Sequence, residues 1–101
     1  MTDTLTPAAK DVLAERDRQL NEERWDHAWD DHYEECELAR AAATYAICTK
    51  PEQLTIRGMI CWPWQKHWWK PTTYRQNLVK AGALILAEIE RLDRAASRGT
   101  R

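Results

Sequence analysis

Phenylalanine is absent from this chain of 101 residues, and it holds only three glycines and a single serine, Ser97. So few glycines leave no glycine-rich phosphate loop, and a lone serine in the C-terminal tail leaves no serine-nucleophile constellation. The three cysteines, Cys36, Cys48 and Cys61, are odd in number and widely spaced. A disulfide framework is therefore not expected, and a reducing cytosol is. Each thiol reads as a small buried hydrophobe. Long apolar runs are also missing: the longest, residues 81–87, falls far short of the ~20 residues that span a bilayer. The opening Met1–Thr6 is polar, carries an acid and does not read as a secretory leader. Fifteen basic and 16 acidic residues give a formal charge of −1, which argues against general nucleic-acid binding. This length predicts one domain, 1–101, with a modest core.

The near-zero sum conceals an asymmetry. Residues 22–37 hold eight acids against Arg24 alone, whereas Lys50, Arg57, Lys66, Lys70, Arg75 and Lys80 face only Glu52 in residues 50–80. Such a dipolar chain can pair its halves, bind an anion at the basic end, or dock copies of itself.

What is abundant is helical signal. Thr6 before Pro7 is an N-cap with proline at the first helical position, and Ala9, Val12, Leu13, Arg16 and Leu20 then recur at helical spacing. This predicts a first helix over 7–23. Asp31 with Glu34 fits a capping box for a second helix over 32–49, whose face is Leu38, Ala42, Tyr45 and Ala46 and which Pro51 ends. The run Ala39–Ala43 is rich in small residues, permitting close approach of another helix. Thr73 with Gln76 gives another capping box, opening a third helix over 73–96. In it Leu78, Gly82, Ile85, Ile89, Leu92 and Ala96 step by four, three, four, three and four, close to a heptad. Leu84 and Ala87 make residues 81–87 apolar nearly all round, so one face lacks a partner inside the chain and self-association through this helix is expected. The reading is an all-α three-helix bundle with a long connection at 50–72 and a frayed tail at 97–101.

That connection carries tryptophan. Trp62, Trp64, Trp68 and Trp69 fall within ten residues, bracketed by Pro63 and Pro71 and interleaved with Lys66, His67 and Lys70. Indoles among cations suit either a small core or stacking on a flat anionic partner. The hydroxyls, backbone donors and cations of Lys70–Arg75 also gather at a helix N-terminus, where phosphates and carboxylates bind. The candidate ligand-binding set is therefore Trp64, Lys66, Trp68, Trp69, Lys70, Thr73, Tyr74 and Arg75. Its expected ligand is a nucleotide-like anion, with a protein partner as the other reading.

The acids offer a second chemistry. His27 and Asp31 sit one helical turn apart, but their pattern is no recognised zinc spacing and a solvated helix start explains it. Glu34-Glu35-Cys36-Glu37 and Glu90-Arg91-Leu92-Asp93 resemble the two acidic motifs of MazG-type all-α NTP pyrophosphohydrolases, although the first is misspaced. That resemblance implies a magnesium-dependent alternative using Glu34, Glu37, Glu90 and Asp93. Otherwise no cofactor is expected.

The strongest resemblance lies elsewhere. Glu15-Arg16-x-Arg18-Gln19, Asp30-Asp31, Glu37-Leu38-Ala39-x-Ala41-Ala42 with Tyr45-Ala46, Trp62-Pro63-Trp64 with Trp68-Trp69-Lys70-Pro71, and Arg75-x-x-Leu78-Val79-Lys80-Ala81-Gly82-Ala83-Leu84-Ile85-Leu86-Ala87-Glu88 resemble a family of short proteins encoded by bacteriophages and prophages. The resemblance covers roughly residues 12–95 and departs at Arg24, where members usually carry glycine. It implies a protein acting in the bacterial host cytosol but carries no catalytic residues. The expectation is a non-enzymatic, oligomeric binder that captures a nucleotide signal or a host defence protein as counter-defence.

Overall fold

Thr6 Oγ1 accepts the Ala9 N–H at 3.1 Å and opens helix α1, Pro7–Asn21, where the Thr-Pro pair places it. The computed structural model describes residues 4–21, 31–32, 35–48 and 62–99. Two further α-helices follow among them, α2 at Glu37–Ile47 and α3 at Tyr74–Gly99, with a single 3-10 turn at Lys66–Trp68 before the last. Thr73 Oγ1 accepts the Gln76 N–H at 3.1 Å, so α3 also starts at its expected cap. The protein is all-α, with no strand among the described residues. None of its described helices is long and apolar enough to cross a membrane.

The second helix departs from its expected start. It begins at Glu37 rather than residue 32, because Cys36 takes a left-handed backbone, φ 63°, that a right-handed helix cannot pass through. Asp31 is no cap. It accepts hydrogen bonds from Arg94 Nε at 3.1 Å and Nη2 at 2.9 Å, tying the approach to α2 to the far part of α3. Glu37 fixes the start instead, its Oε1 accepting the Glu35 N–H at 2.7 Å. Residues 22–30, Glu34 and residues 49–61 lie outside the described set. With them go the expected ends of the first two helices, most of the acidic stretch and the first half of the long connection.

Helix α3 is the central element. Both α1 and α2 pack against it, with no comparable α1–α2 contact among the described residues. The α2 side is apolar: Leu38, Ala41, Ala42 and Tyr45 meet Ala81, Leu84 and Ala87, and Trp62 covers the same cluster. Alanines on both helices bring the backbones close, so dispersion contacts are dense for little side-chain volume.

The α1 side is polar, which corrects the expected stripe. Glu15, Arg16 and Gln19 are the buried residues of α1, whereas Leu13 is 49% exposed. Arg16 donates to Glu90 Oε1 from Nη2 at 2.8 Å and Nε at 3.1 Å, and Asp11 pairs with Arg75 at 2.9 Å. Asp11 with Arg75, Val12 with Gly82 and Arg16 with Glu90 fasten α1 onto α3. A Cβ at Gly82 would stand 3.1 and 3.2 Å from the two Val12 methyls, and glycine is what lets α1 seat there.

Candidate functional site

Tyr45 organises the tryptophan segment. Its ring stacks on Trp69 at 4.6 Å and meets Trp62 edge-on at 5.6 Å, and Trp64 meets Trp62 edge-on at 5.3 Å. The Trp62 Nε1–H donates to Gln65 O at 3.1 Å, which closes the turn that carries the segment back to α3. Trp62, Trp64 and Trp69 are thus packed with the core. Trp68 is different. It is 39% exposed, with His67 tilted against it at 5.0 Å and Lys70 Nζ 5.6 Å from its ring centre.

The segment is held by backbone bonds to buried side chains. Tyr45 OH accepts the Lys70 N–H at 3.2 Å, and Lys80 Nζ donates to Lys70 O. Fully buried Asn77 accepts the Thr72 N–H at 2.8 Å through Oδ1 and donates from Nδ2 to Cys48 O at 3.1 Å. One amide therefore fastens the end of α2 and the entry to α3 together.

Between this segment and α1 lies a half-open cleft of about 510 Å³. Helix α1 contributes Glu15, Arg18 and Gln19; Trp68, Lys70, Pro71 and Thr72 form the facing wall; Tyr45, Gln76 and Lys80 complete it. Glu15 is 6% exposed, and its carboxylate accepts from Arg18 Nε at 2.9 Å, Arg18 Nη2 at 2.8 Å and Gln19 Nε2 at 3.1 Å. Burial pushes the Glu15 carboxyl up. The hydrogen bonds and charge of Arg18, the Gln19 bond and the Lys80 charge outweigh that and hold it below its ordinary value. Glu15 is thus an anion matched by Arg18, and Lys70 and Lys80 leave the cleft positive. Gln19 is 1% exposed, and its Oε1 has no hydrogen-bond partner among the described residues. A buried acceptor without a donor is costly.

The expected site residues separate. Trp68 and Lys70 line the cleft, while Trp64 and Trp69 pack on the core cluster. Thr73 caps α3, Tyr74 is exposed on its first turn, and Arg75 is paired with Asp11; none of the three lines the cleft. Lys66 opens the 3-10 turn; its side chain is outside the described set. Sequence reasoning missed Glu15, Arg18, Gln19, Tyr45 and Lys80. The available signal was Glu15, Arg18 and Gln19 at i, i+3 and i+4, a polar face on a helix that must bury something, and Lys80 beside an apolar run.

The acids do not gather among the described residues. Glu37 opens α2 and accepts the Glu35 N–H, Glu90 is tied to Arg16 and Asp93 is exposed, while Glu34 lies outside the set. No group of three histidine, cysteine, aspartate or glutamate side chains placed to hold a metal occurs among the described residues.

The geometry defines a class: an all-α protein whose described residues form three α-helices, with a cationic, aromatic-walled cleft at the entry to the central one. No family model, curated protein or solved structure matches the chain.

Proposed function

We propose that the chain is a non-enzymatic binding protein whose cleft takes a nucleotide-like anion. The observation that supports this is one cleft lined by an exposed indole, by Lys70 and Lys80, and by a glutamine whose buried amide oxygen has no partner among the described residues. Each part answers one part of a nucleotide. Trp68 offers a face for a base, Lys70 and Lys80 answer phosphate charge, and Gln19, with its amide turned into the cleft, accepts from an exocyclic amine or a sugar hydroxyl. The cleft volume falls in the range of small-ligand sites, about 300–1,000 Å³. Eight of its ten lining residues lie in the segments by which the chain resembles phage-encoded proteins. That resemblance supplies the setting we assign: capture of a host signalling nucleotide in the bacterial cytosol, as counter-defence by sequestration.

The test is a thermal-shift screen of linear and cyclic nucleotides, with and without magnesium, followed by calorimetric titration. A ligand at a hundred times its dissociation constant adds about 2.7 kcal/mol of stability. Trp68→Ala should weaken binding by roughly 5- to 150-fold, the ~1–3 kcal/mol of one base stack. Lys70→Ala should weaken it in a salt-dependent way, and Arg75→Ala should leave it unchanged. A shift that needs magnesium and yields product supports the pyrophosphohydrolase alternative instead. No shift with any nucleotide turns the reading toward a host protein partner.

A further inference from the structure

On the side of α3 away from the cleft, large apolar side chains stand in solvent along one line. Tyr74, Leu78, Ile85, Ile89 and Leu92 are 41–52% exposed, and exposed Ala96 continues the line. At about 100° per residue all six fall within roughly 40° of one generator of the helix. Isolated exposed leucines are ordinary, whereas a continuous file of them is not. Helix α1 widens the surface. Its Glu15 faces the cleft, and Leu13, about 160° round the same helix, falls on the other side, beside Val12 and Gly82.

We propose that this face is the interface of a homodimer in which two copies of α3 pack antiparallel about a two-fold axis. Two observations select a second copy as the occupant. The exposed side chains from Leu78 to Ala96 lie along the helix at its own average of 3.6 residues, so the line runs straight and a second helix laid along it meets all of them. The flanking charges are complementary to themselves when reversed. Arg75 and Asp93 lie on the same flank of the stripe, 18 residues or five turns apart. An antiparallel copy with Ile85 level with its own equivalent sets Leu78 against Leu92. It also brings Arg75, which already holds Asp11, to within about 3 Å along the axis of Asp93 in the second copy. In a parallel copy the flank carrying Arg75 and Asp93 meets the opposite flank of its partner, so this pairing is lost.

The area sets the strength. From Tyr74 to Ala96 the stripe runs about 33 Å, and at one helix width of ~10–12 Å its footprint is roughly 350 Å². Interdigitation and Leu13 raise the surface removed from water. The contact still falls short of the ~800 Å² per partner that stable interfaces bury. The dimer is therefore reversible, with a dissociation constant on the order of micromolar.

Sedimentation velocity from about 1 to about 500 µM tests it, a range that brackets that constant. The wild-type chain should pass from monomer to dimer. The variant Ile85→Glu with Ile89→Glu should remain monomeric throughout, with unchanged helical circular dichroism, since both positions are half-exposed in the protomer. Ile47→Glu, equally exposed but on α2, should dimerise like the wild type. A wild-type chain that stays monomeric across the range overturns the proposal. So does a stripe variant that dimerises as the wild type does.

Discussion

Asn77 is one turn into α3, yet its two hydrogen bonds reach Thr72 and Cys48, five and 29 positions back. Replacing it by alanine strands the part-buried Thr72 N–H and the buried Cys48 carbonyl together. Asn77→Ala should lower unfolding stability by about 2–3 kcal/mol, read from the urea midpoint. The role was not legible in the sequence, where Asn77 is one polar residue on a helix with many. The caps at Thr6 and Thr73 were legible because a cap acts over three residues and needs no tertiary partner. Glu15 gives a second prediction at this scale. Its folded-state carboxyl titrates below its ordinary value near 4.5, so it adds stability above that pH. That contribution fades as pH falls from the ordinary value down through the lower folded-state value. Thermal melts from pH 6 to pH 3 should show a shallower acid loss for Glu15→Gln than for the wild type. An identical slope would remove the Arg18 and Lys80 contribution from the account.

The helices divide by how locally their packing is specified. For α3 the sequence separates two apolar sets, the heptad line from Leu78 to Ala96 and the run through Ala81, Leu84 and Ala87. Only the partners reveal that the second meets α2 while the first stays in solvent. For α1 the periodic set misleads. The stripe through Leu13 is less buried than Glu15, Arg16 and Gln19, because the facing surface of α3 presents Glu90 and a glycine rather than leucines. Helix-scale patterns report hydrophobicity, and a polar interface leaves almost no trace in them. Gly82 tests the seating. In an open helix glycine to alanine gains up to about 1 kcal/mol. Here the new Cβ meets both Val12 methyls at 3.1–3.2 Å, and no single rotation of a β-branched side chain clears both. Gly82→Ala should therefore be net destabilising by roughly 1 kcal/mol, and Val12→Ala in the same chain should recover the loss. A stabilised single variant would show that α1 shifts aside freely.

At the scale of the molecule, the central position of α3 gives it two working faces. Gln76 and Lys80, which line the cleft, are about 160° round the helix from Leu78 on the exposed stripe, one on either side. Helix α1 repeats the division, with Glu15 and Gln19 toward the cleft and Leu13 away from it. The dipolar sequence does not simply fold acid onto base: Asp31, from the acidic stretch, meets Arg94 and Arg98 near the end of α3 rather than the residue 50–80 stretch. Two faces on opposite sides of one rigid helix, sharing no side chain, should act independently. The monomeric stripe variant should bind nucleotide within about twofold of the wild type, since sites without shared partners add nearly ideally. Trp68→Ala should in turn dimerise with an unchanged constant. Ligand that tightens the dimer tenfold would mean about 1.4 kcal/mol of coupling. That coupling would have to pass through α3 itself, as a shift of its first turns against Asn77 and Thr72, and Asn77→Ala should then abolish it.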